Sequence, residues 1–330
     1  EDLGDVILMP GLVNAHCHLD YTSLAGRIPA PDTFNEWISG IMRHKEEMGD
    51  GAWRESWLKG AKQCVQRGTT TVGNIETRPD LLEKLWSKTP LRLLSFLELM
   101  VVRPESDSES VVQEAVNWLQ NNEPPRGAVG LSPHAQYTVK PDALLKCTEA
   151  SKEHGWRMAM HLAESADEAD MFLRSSGPLY QRLANVGRDM SDCGGYSSVE
   201  RASGRGLLNH KLLAVHGNYI NENDIRLLAE SGSSVAHCPR SHDYFGHVPL
   251  RFEELRAAGV NVCLGTDSLA TVEEADSKLD MFEEMRMFHG KYPDVSPEVI
   301  TFMVTVNGAK ALGWAGEVGE ISTGACADLL

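Results

Sequence analysis

His16 and His18 stand one residue apart, at the end of an apolar run that begins at Val6. Side chains of an extended strand alternate faces, so the two imidazoles point the same way and Cys17 packs behind them. Two imidazoles on one face make half of a site for a divalent ion. The other half must come from elsewhere. Further candidates close other apolar runs: Ser132-Pro133-His134, His161 with Glu164, His216, His237 with Arg240, and Gly265-Thr266-Asp267. Imidazoles with a carboxylate suit zinc, or iron. A catalytic site of this kind keeps one coordination position for water and lowers its pKa towards neutrality. Asp267 beside such a water can accept its proton, and Glu164 can shuttle a proton to a substrate. His216 either binds the ion or hydrogen-bonds the water; spacing leaves both open. His44, His154, His210 and His289 fall on helical patterns and read as surface residues.

These residues need elements that bring them to one place. Eight β-branched-rich runs read as strands: Val6–Val13, Thr69–Ile75, Leu91–Leu99, Ala128–Ser132, Arg157–His161, Leu212–His216, Ser234–His237 and Val260–Gly265. Amphipathic stretches separate them, among them Phe34–Glu47, Pro141–His154, Asp167–Val186 and Pro297–Leu312. Gly155, Gly232 and Gly259 sit where helices end and the next strand begins. Eightfold strand–helix alternation predicts an α/β fold, a parallel (β/α)8 TIM-type barrel. No G-x-G-x-x-G fingerprint supports an open doubly wound sheet. The segment 187–205 reads as an extended loop after the fifth strand. In a barrel the carboxyl ends of the strands share one mouth, so the listed histidines and acids converge there.

The chain has 330 residues, 42% of them hydrophobic, enough for a large core. Its 31 Lys and Arg against 47 Asp and Glu give a formal charge of −16. That balance argues against nucleic acid or an anionic membrane as partner, and no apolar run reaches the length of a membrane span. Seven cysteines without C-x-x-C pairs fit reduced thiols in a cytoplasmic enzyme. The chain opens at Glu1 without Met and closes on what reads as the start of another strand, so both ends look cut.

Eight segments carry a family resemblance: Pro10 to His18, Gly68-Thr69-Thr70-Thr71, Ser132-Pro133-His134, His161 to Ser165, Val215-His216-Gly217, His237-Cys238-Pro239, Gly265-Thr266-Asp267-Ser268 and Leu279 to Met285. In this order they resemble the amidohydrolase superfamily. The likeness is to the branch holding cytosine deaminase, S-adenosylhomocysteine/methylthioadenosine deaminase, aminofutalosine deaminase and triazine hydrolases. The resemblance implies a metal-dependent hydrolase barrel over residues 6–315. It implies that 1–5 and 316–330 are edges of a small β-sandwich built from both termini, most of it absent. It implies His16, His18, His161 and Asp267 as metal ligands, with Asp267 also the general base. His216 would orient the hydroxide, and Glu164 would protonate a ring nitrogen. Two-metal relatives carry a lysine at the end of strand four; this chain has Ser132-Pro133-His134 there and no Lys before Lys140. One divalent ion is therefore expected, zinc with iron as the alternative.

The expected reaction is hydrolytic deamination of an amino-substituted purine-like base, in a nucleoside, with release of ammonia. The alternatives are a chlorohydrolase or other C–N hydrolase on a triazine- or pyrimidine-like ring, and a non-catalytic metal-binding scaffold. His134 is the expected contact to sugar or ring, with Tyr137 beside it. Arg240 offers a bidentate fork to a substrate anion, or a salt bridge to a neighbouring acid. His247 closes the same loop. The expected partner is a small heterocyclic substrate, with a homodimer as a candidate assembly.

Overall fold

The computed structural model describes residues 4–330. Eight strands follow one another in a single parallel sheet: β1 (Leu12–Cys17), β2 (Thr69–Glu76), β3 (Arg92–Leu99), β4 (Gly127–Pro133), β5 (Arg157–Leu162), β6 (Leu212–His216), β7 (Ser234–His237) and β8 (Asn261–Leu264). The ring closes just past β8, where Cys17 and Asp267 form a parallel bridge. There Asp267 N–H donates to the His16 carbonyl at 3.1 Å. The seam of the barrel thus lies between two of the expected ligands. Gly265 permits the approach, because a Cβ at that position would stand 2.7 Å from the His16 carbonyl oxygen.

An inner cluster including Leu94, Phe96, Ala159, Val215, Ala236 and Cys263 fills the barrel. The helix Val306–Leu312 packs on β1 and β8, and its Ala309 and Leu312 join the same cluster. A second, larger cluster lies between the strands and the surrounding helices, with Trp57, Leu93, Leu131 and Phe288 fully buried in it. Gly155, Gly232 and Gly259 have the positive φ expected of residues that end helices (75°, 70° and 80°). No helix among the described residues is long and apolar enough to cross a membrane.

Several sequence expectations shift. The first strand is Leu12–Cys17, not Val6–Val13, and Ile7 is 90% exposed. Pro10 has no N–H to give a central strand, and the segment before it pairs with the other terminus instead, Met9 N–H donating to Leu330. The expected sandwich edges fall partly on residues 1–3, outside the described ones. The single helix expected over Asp167–Val186 is two, Ala166–Arg174 and Pro178–Asn185. Ser175 (φ 52°) and Gly177 (φ 97°) turn the chain between them ahead of Pro178. The helix expected over Pro297–Leu312 likewise divides into Pro297–Met303 and Val306–Leu312, which lets Gly308 sit against Val13. The 187–205 segment is not all loop: Ser197 and Glu200 form a capping box that starts the helix Ser198–Gly204.

Candidate active site

The carboxyl ends of β1, β5, β6 and β8 bring His16, His18, His161, His216 and Asp267 together, each no more than 6% exposed. Ring centroids lie 4.9 Å apart for His16 and His18, 5.1 Å for His16 and His161, and 5.5 Å for His161 and His216. Asp267 Oδ1 stands 3.6 Å from His16 Nε2 and 3.5 Å from His18 Nε2. Two sets of three donor atoms, each set within 4.8 Å, share His16: one with His161 and His216, the other with His18 and Asp267. His216 therefore stands within ligand range, a point its spacing in sequence left open.

The backbone is bent to achieve this. Among the described residues only four non-glycines have positive φ, and three are here: Ala163 (52°), His216 (76°) and Asp267 (54°). Left-handed backbone costs a β-carbon residue roughly 1–2 kcal/mol, and its clustering at three strand ends points to function.

The donor set fits a metal ion. Both ring nitrogens of His16, Nδ1 of His18 and Nε2 of His216 are buried without a hydrogen-bond partner. Uncompensated burial of such groups is costly, and a divalent cation would satisfy them together. His161 is already set for that role: its Nδ1 donates to the His134 carbonyl at 2.9 Å, leaving the Nε2 lone pair free. Burial pushes the imidazoles of His18, His161 and His216 below their usual range, the neutral form that a metal requires.

The two carboxyl groups are pushed in opposite directions. Burial alone would raise Asp267, but the imidazoles of His16, His216 and His18 crowded around it overcome that and hold the group well below its usual range. Ser241 Oγ donates to Asp267 Oδ2 at 2.6 Å. Glu164 goes the other way: burial, then the Asp267 and Glu168 charges, push it well above the ordinary carboxylate value. Its Oε1 lies 3.4 Å from His216 Nε2. Its backbone is held by Glu168 Oε2, which accepts from Glu164 N–H, and by Asn218 Nδ2, which donates to Glu164 O. One carboxyl is thus pushed towards its ionised form and the other towards its protonated form within one cluster, the arrangement that separates a base from an acid.

Other expected site residues fare differently. His134 sits at the rim, its ring 4.7 Å from His161 and its Nδ1 2.8 Å from Thr138 Oγ1. Tyr137 is buried in an apolar cluster with Phe34, Met171 and Phe172, beneath His134 rather than open at the mouth. Arg240 is not free for a substrate anion. Its Nε donates to Glu284 Oε1 at 2.6 Å and its terminal nitrogen to the Lys278 carbonyl, so the salt bridge prevails. His247 bonds Tyr219 OH through Nδ1 at 3.3 Å and stacks on Phe245. It lines a cavity of about 170 Å³ with His237, His242 and Phe288. His237, expected at the rim, lines that cavity and joins no ligand cluster among the described residues. Strand β7 instead serves the site through Ser241, in the short helix Pro239–Tyr244. Nothing in the sequence distinguished this serine from its loop neighbours.

The description "Amidohydrolase family" matches residues 7–330. A 5-methylthioadenosine/S-adenosylhomocysteine deaminase of Nitratidesulfovibrio vulgaris is 29% identical over 346 aligned positions, covering 100% of this chain and 72% of the relative. The structure of an adenosine deaminase from Xanthomonas campestris with bound zinc superposes with a TM-score of 0.80 at 26% identity, over 98% of this chain and 71% of that one. Helicobacter pylori aminofutalosine deaminase shares the fold at a TM-score of 0.83 and 23% identity, over 98% and 78% of the two chains.

Proposed function

Because the chain belongs to the amidohydrolase family, we propose that it is a metal-dependent hydrolytic deaminase of an amino-substituted purine-like base carried in a nucleoside. The observation that carries this reading is the ligand-ready histidine cluster with Asp267 Oδ1 3.5 Å from His18 Nε2 and Glu164 Oε1 3.4 Å from His216 Nε2, the two carboxyls pushed in opposite directions. Deamination of a cyclic amidine needs an acid for the ring nitrogen and a base for the attacking water. The relatives named above support the substrate class, being deaminases of adenosine-type nucleosides.

His16, His18, His161 and Asp267 would hold one ion, zinc or iron. Such an ion supplies a water of lowered pKa in its open position. Asp267 would be the base for that water's proton and would pass it to the departing amine. Its Oδ2 is kept in place by Ser241. Glu164 gives its proton to the ring nitrogen next to the amino-bearing carbon. His216, between the ligand atoms and Glu164 Oε1, orients the water. Water's oxygen replaces the amino group and ammonia leaves. A single ion is supported by strand β4, which ends at Pro133 with no lysine. Lys140 is spent on the carbonyls of Pro104 and Ser106. The seven free cysteines support a reducing, cytoplasmic setting, and the acidic surface supports a small molecule over nucleic acid.

The test is ammonia release from the zinc-loaded protein across adenosine, methylthioadenosine, S-adenosylhomocysteine, aminofutalosine, guanine, cytosine and pterins, with metal content measured alongside. Turnover of an adenosine-type nucleoside with one ion per chain is expected. Chloride release from a chlorotriazine with no ammonia from any nucleoside would overturn the reading.

A further inference from the structure

One of the eight segments that carry the family resemblance, Leu279 to Met285, has no part in the chemistry above. It opens the helix Met281–Lys291. Asp280 caps that helix, accepting from Phe282 N–H at 2.9 Å. Leu279 N–H donates to Gln63 Oε1 at 3.1 Å, on the helix Asp50–Gln66. The start of the helix is thus pinned from two sides. Glu284, in its first turn, is fully buried. Its Oε2 accepts from Arg240 N–H at 3.0 Å and its Oε1 from Arg240 Nε at 2.6 Å. Arg240 Nη2 donates to the Lys278 carbonyl at 2.8 Å, which ties the guanidinium to the residue just before the segment.

This clamp closes one residue before Ser241, whose hydroxyl holds Asp267 Oδ2. The helix that carries both, Pro239–Tyr244, has 6 residues. A helix so short does not hold itself, because nucleation costs more than its few hydrogen bonds return. Its first N–H groups need outside acceptors, and the Cys238 side chain before it caps none of the described residues. Glu284 supplies such an acceptor from a helix that is itself fixed. Two further anchors, His242 Nε2 on the Val248 carbonyl at 2.8 Å and Tyr244 OH on the Pro29 carbonyl at 3.0 Å, hold the helix from beyond Ser241. Asp267 depends on the outcome. Its Oδ1 lies 3.6 and 3.5 Å from the His16 and His18 nitrogens, so turning its carboxylate carries that oxygen out of the ligand set.

We propose that Glu284 is a positioning residue for the metal site: through Arg240 it fixes the helix Pro239–Tyr244, and so sets the Ser241 hydroxyl on Asp267. Arg240, which the salt bridge withholds from any substrate anion, thereby serves the site from behind. The inference rests on the deaminase reading for turnover and on the donor set alone for metal affinity, so the two are tested separately.

The experiment must separate position from stability. Removing one partner of a buried ion pair is strongly destabilising, whereas replacing both by apolar residues of similar volume is often neutral. The variant is therefore Arg240→Met with Glu284→Met, made with and without Ser241→Ala, beside Ser241→Ala alone. Zinc affinity is read by competition with a chromophoric chelator, kcat and KM by ammonia release from adenosine-type nucleosides, and stability by urea unfolding. The paired methionine variant is expected to keep the parent's stability and yet lose about 10- to 100-fold in zinc affinity or kcat, as does Ser241→Ala. KM is expected to stay within about threefold. The triple variant is expected to match Ser241→Ala within about twofold, because both changes cut one chain of contacts. A paired variant with the parent's zinc affinity and kcat overturns the inference, as does a triple variant in which the two losses multiply. Should the paired variant not fold, the same cycle is run with Glu284→Gln, which has one acceptor oxygen for two donors, and the same two outcomes overturn the inference. Turnover of no nucleoside by the unsubstituted enzyme sinks the deaminase reading, and the zinc cycle then decides this one alone.

Discussion

Two buried polar clusters adjoin the mouth of the barrel, and they are built on opposite rules. In the first, Arg188 donates to both oxygens of Asp192 at 2.7 and 3.0 Å and to the carbonyls of Tyr137 and Gln136. Arg205 completes it, reaching Asp192 at 3.0 Å and Gln136 Oε1 at 2.8 Å. Every charge there has its partner. In the second, the histidine rim, four buried ring nitrogens on His16, His18 and His216 have none. Buried polar groups are ordinarily satisfied, so the first cluster reads as architecture and the second as a site held ready for a ligand. The clusters touch through one loop: Arg188 grips residues 136 and 137, and the His134 carbonyl just before them orients His161.

The sharpest break in this contrast comes from opposite substitutions. Asp267→Asn or Glu164→Gln should cut ammonia release by about a thousandfold or more, the scale of losing a general acid or base in a metal site. The thermal midpoint should hold or rise, since the rim stores strain and unmet hydrogen bonds. Full activity in either variant would end the proposed mechanism. Arg188→Met should do the reverse. It leaves the half-buried Asp192 with a single arginine and the carbonyls of residues 136 and 137 without their donor, and should cost about 1–3 kcal/mol in urea unfolding, with the zinc content of the folded fraction retained. A loss of zinc with no loss of stability would erase the distinction between the two clusters.

Ser241 tests the rim more gently. Ser241→Ala removes the 2.6 Å hydrogen bond to Asp267 Oδ2 and should lower metal affinity or turnover by about 10- to 100-fold, as partners of metal ligands do. Unchanged metal affinity and turnover would show that the rim holds Asp267 without help. Its role also marks what the sequence could and could not reveal. The barrel was legible because strand runs recur eightfold, with Gly155, Gly232 and Gly259 ending helices between them, and His16, His18, His161, His216 and Asp267 because each falls at or just beyond a strand end. Ser241 was not, because it lies in a helix of six residues after β7 that the polar composition disguised as loop. Arg240 and His237 misled for a related reason. Their positions next to a strand end were read correctly, but Glu284, which captures Arg240, is distant in sequence. The first strand was misplaced because hydropathy alone ignored Pro10.

A third buried group lies between the two rules, and its effect at any one pH step is small. Glu76, at the end of β2, is 1% exposed and accepts hydrogen bonds from Trp57 Nε1 and Ser95 Oγ, both at 3.1 Å. It has hydrogen bonds but, among the described residues, no cation. Burial pushes its carboxyl up to about 8, with the hydrogen bonds from Asn74, Trp57 and Ser95 pulling back and Asp20 adding to the rise. The folded chain therefore holds this proton more tightly than the unfolded one, whose carboxyl keeps its ordinary value near 4.5. The stability that Glu76 contributes is complete below that value and is lost as pH rises through about 8. Glu76→Gln keeps an acceptor for the Trp57 indole and cannot ionise. Urea unfolding at either end of this window should show stability falling with pH more steeply in the parent than in the variant, by up to about 1.4 kcal/mol per pH unit. Parallel profiles would mean that Glu76 ionises freely in place, and that hydrogen bonds without a cation suffice to hold a buried charge here.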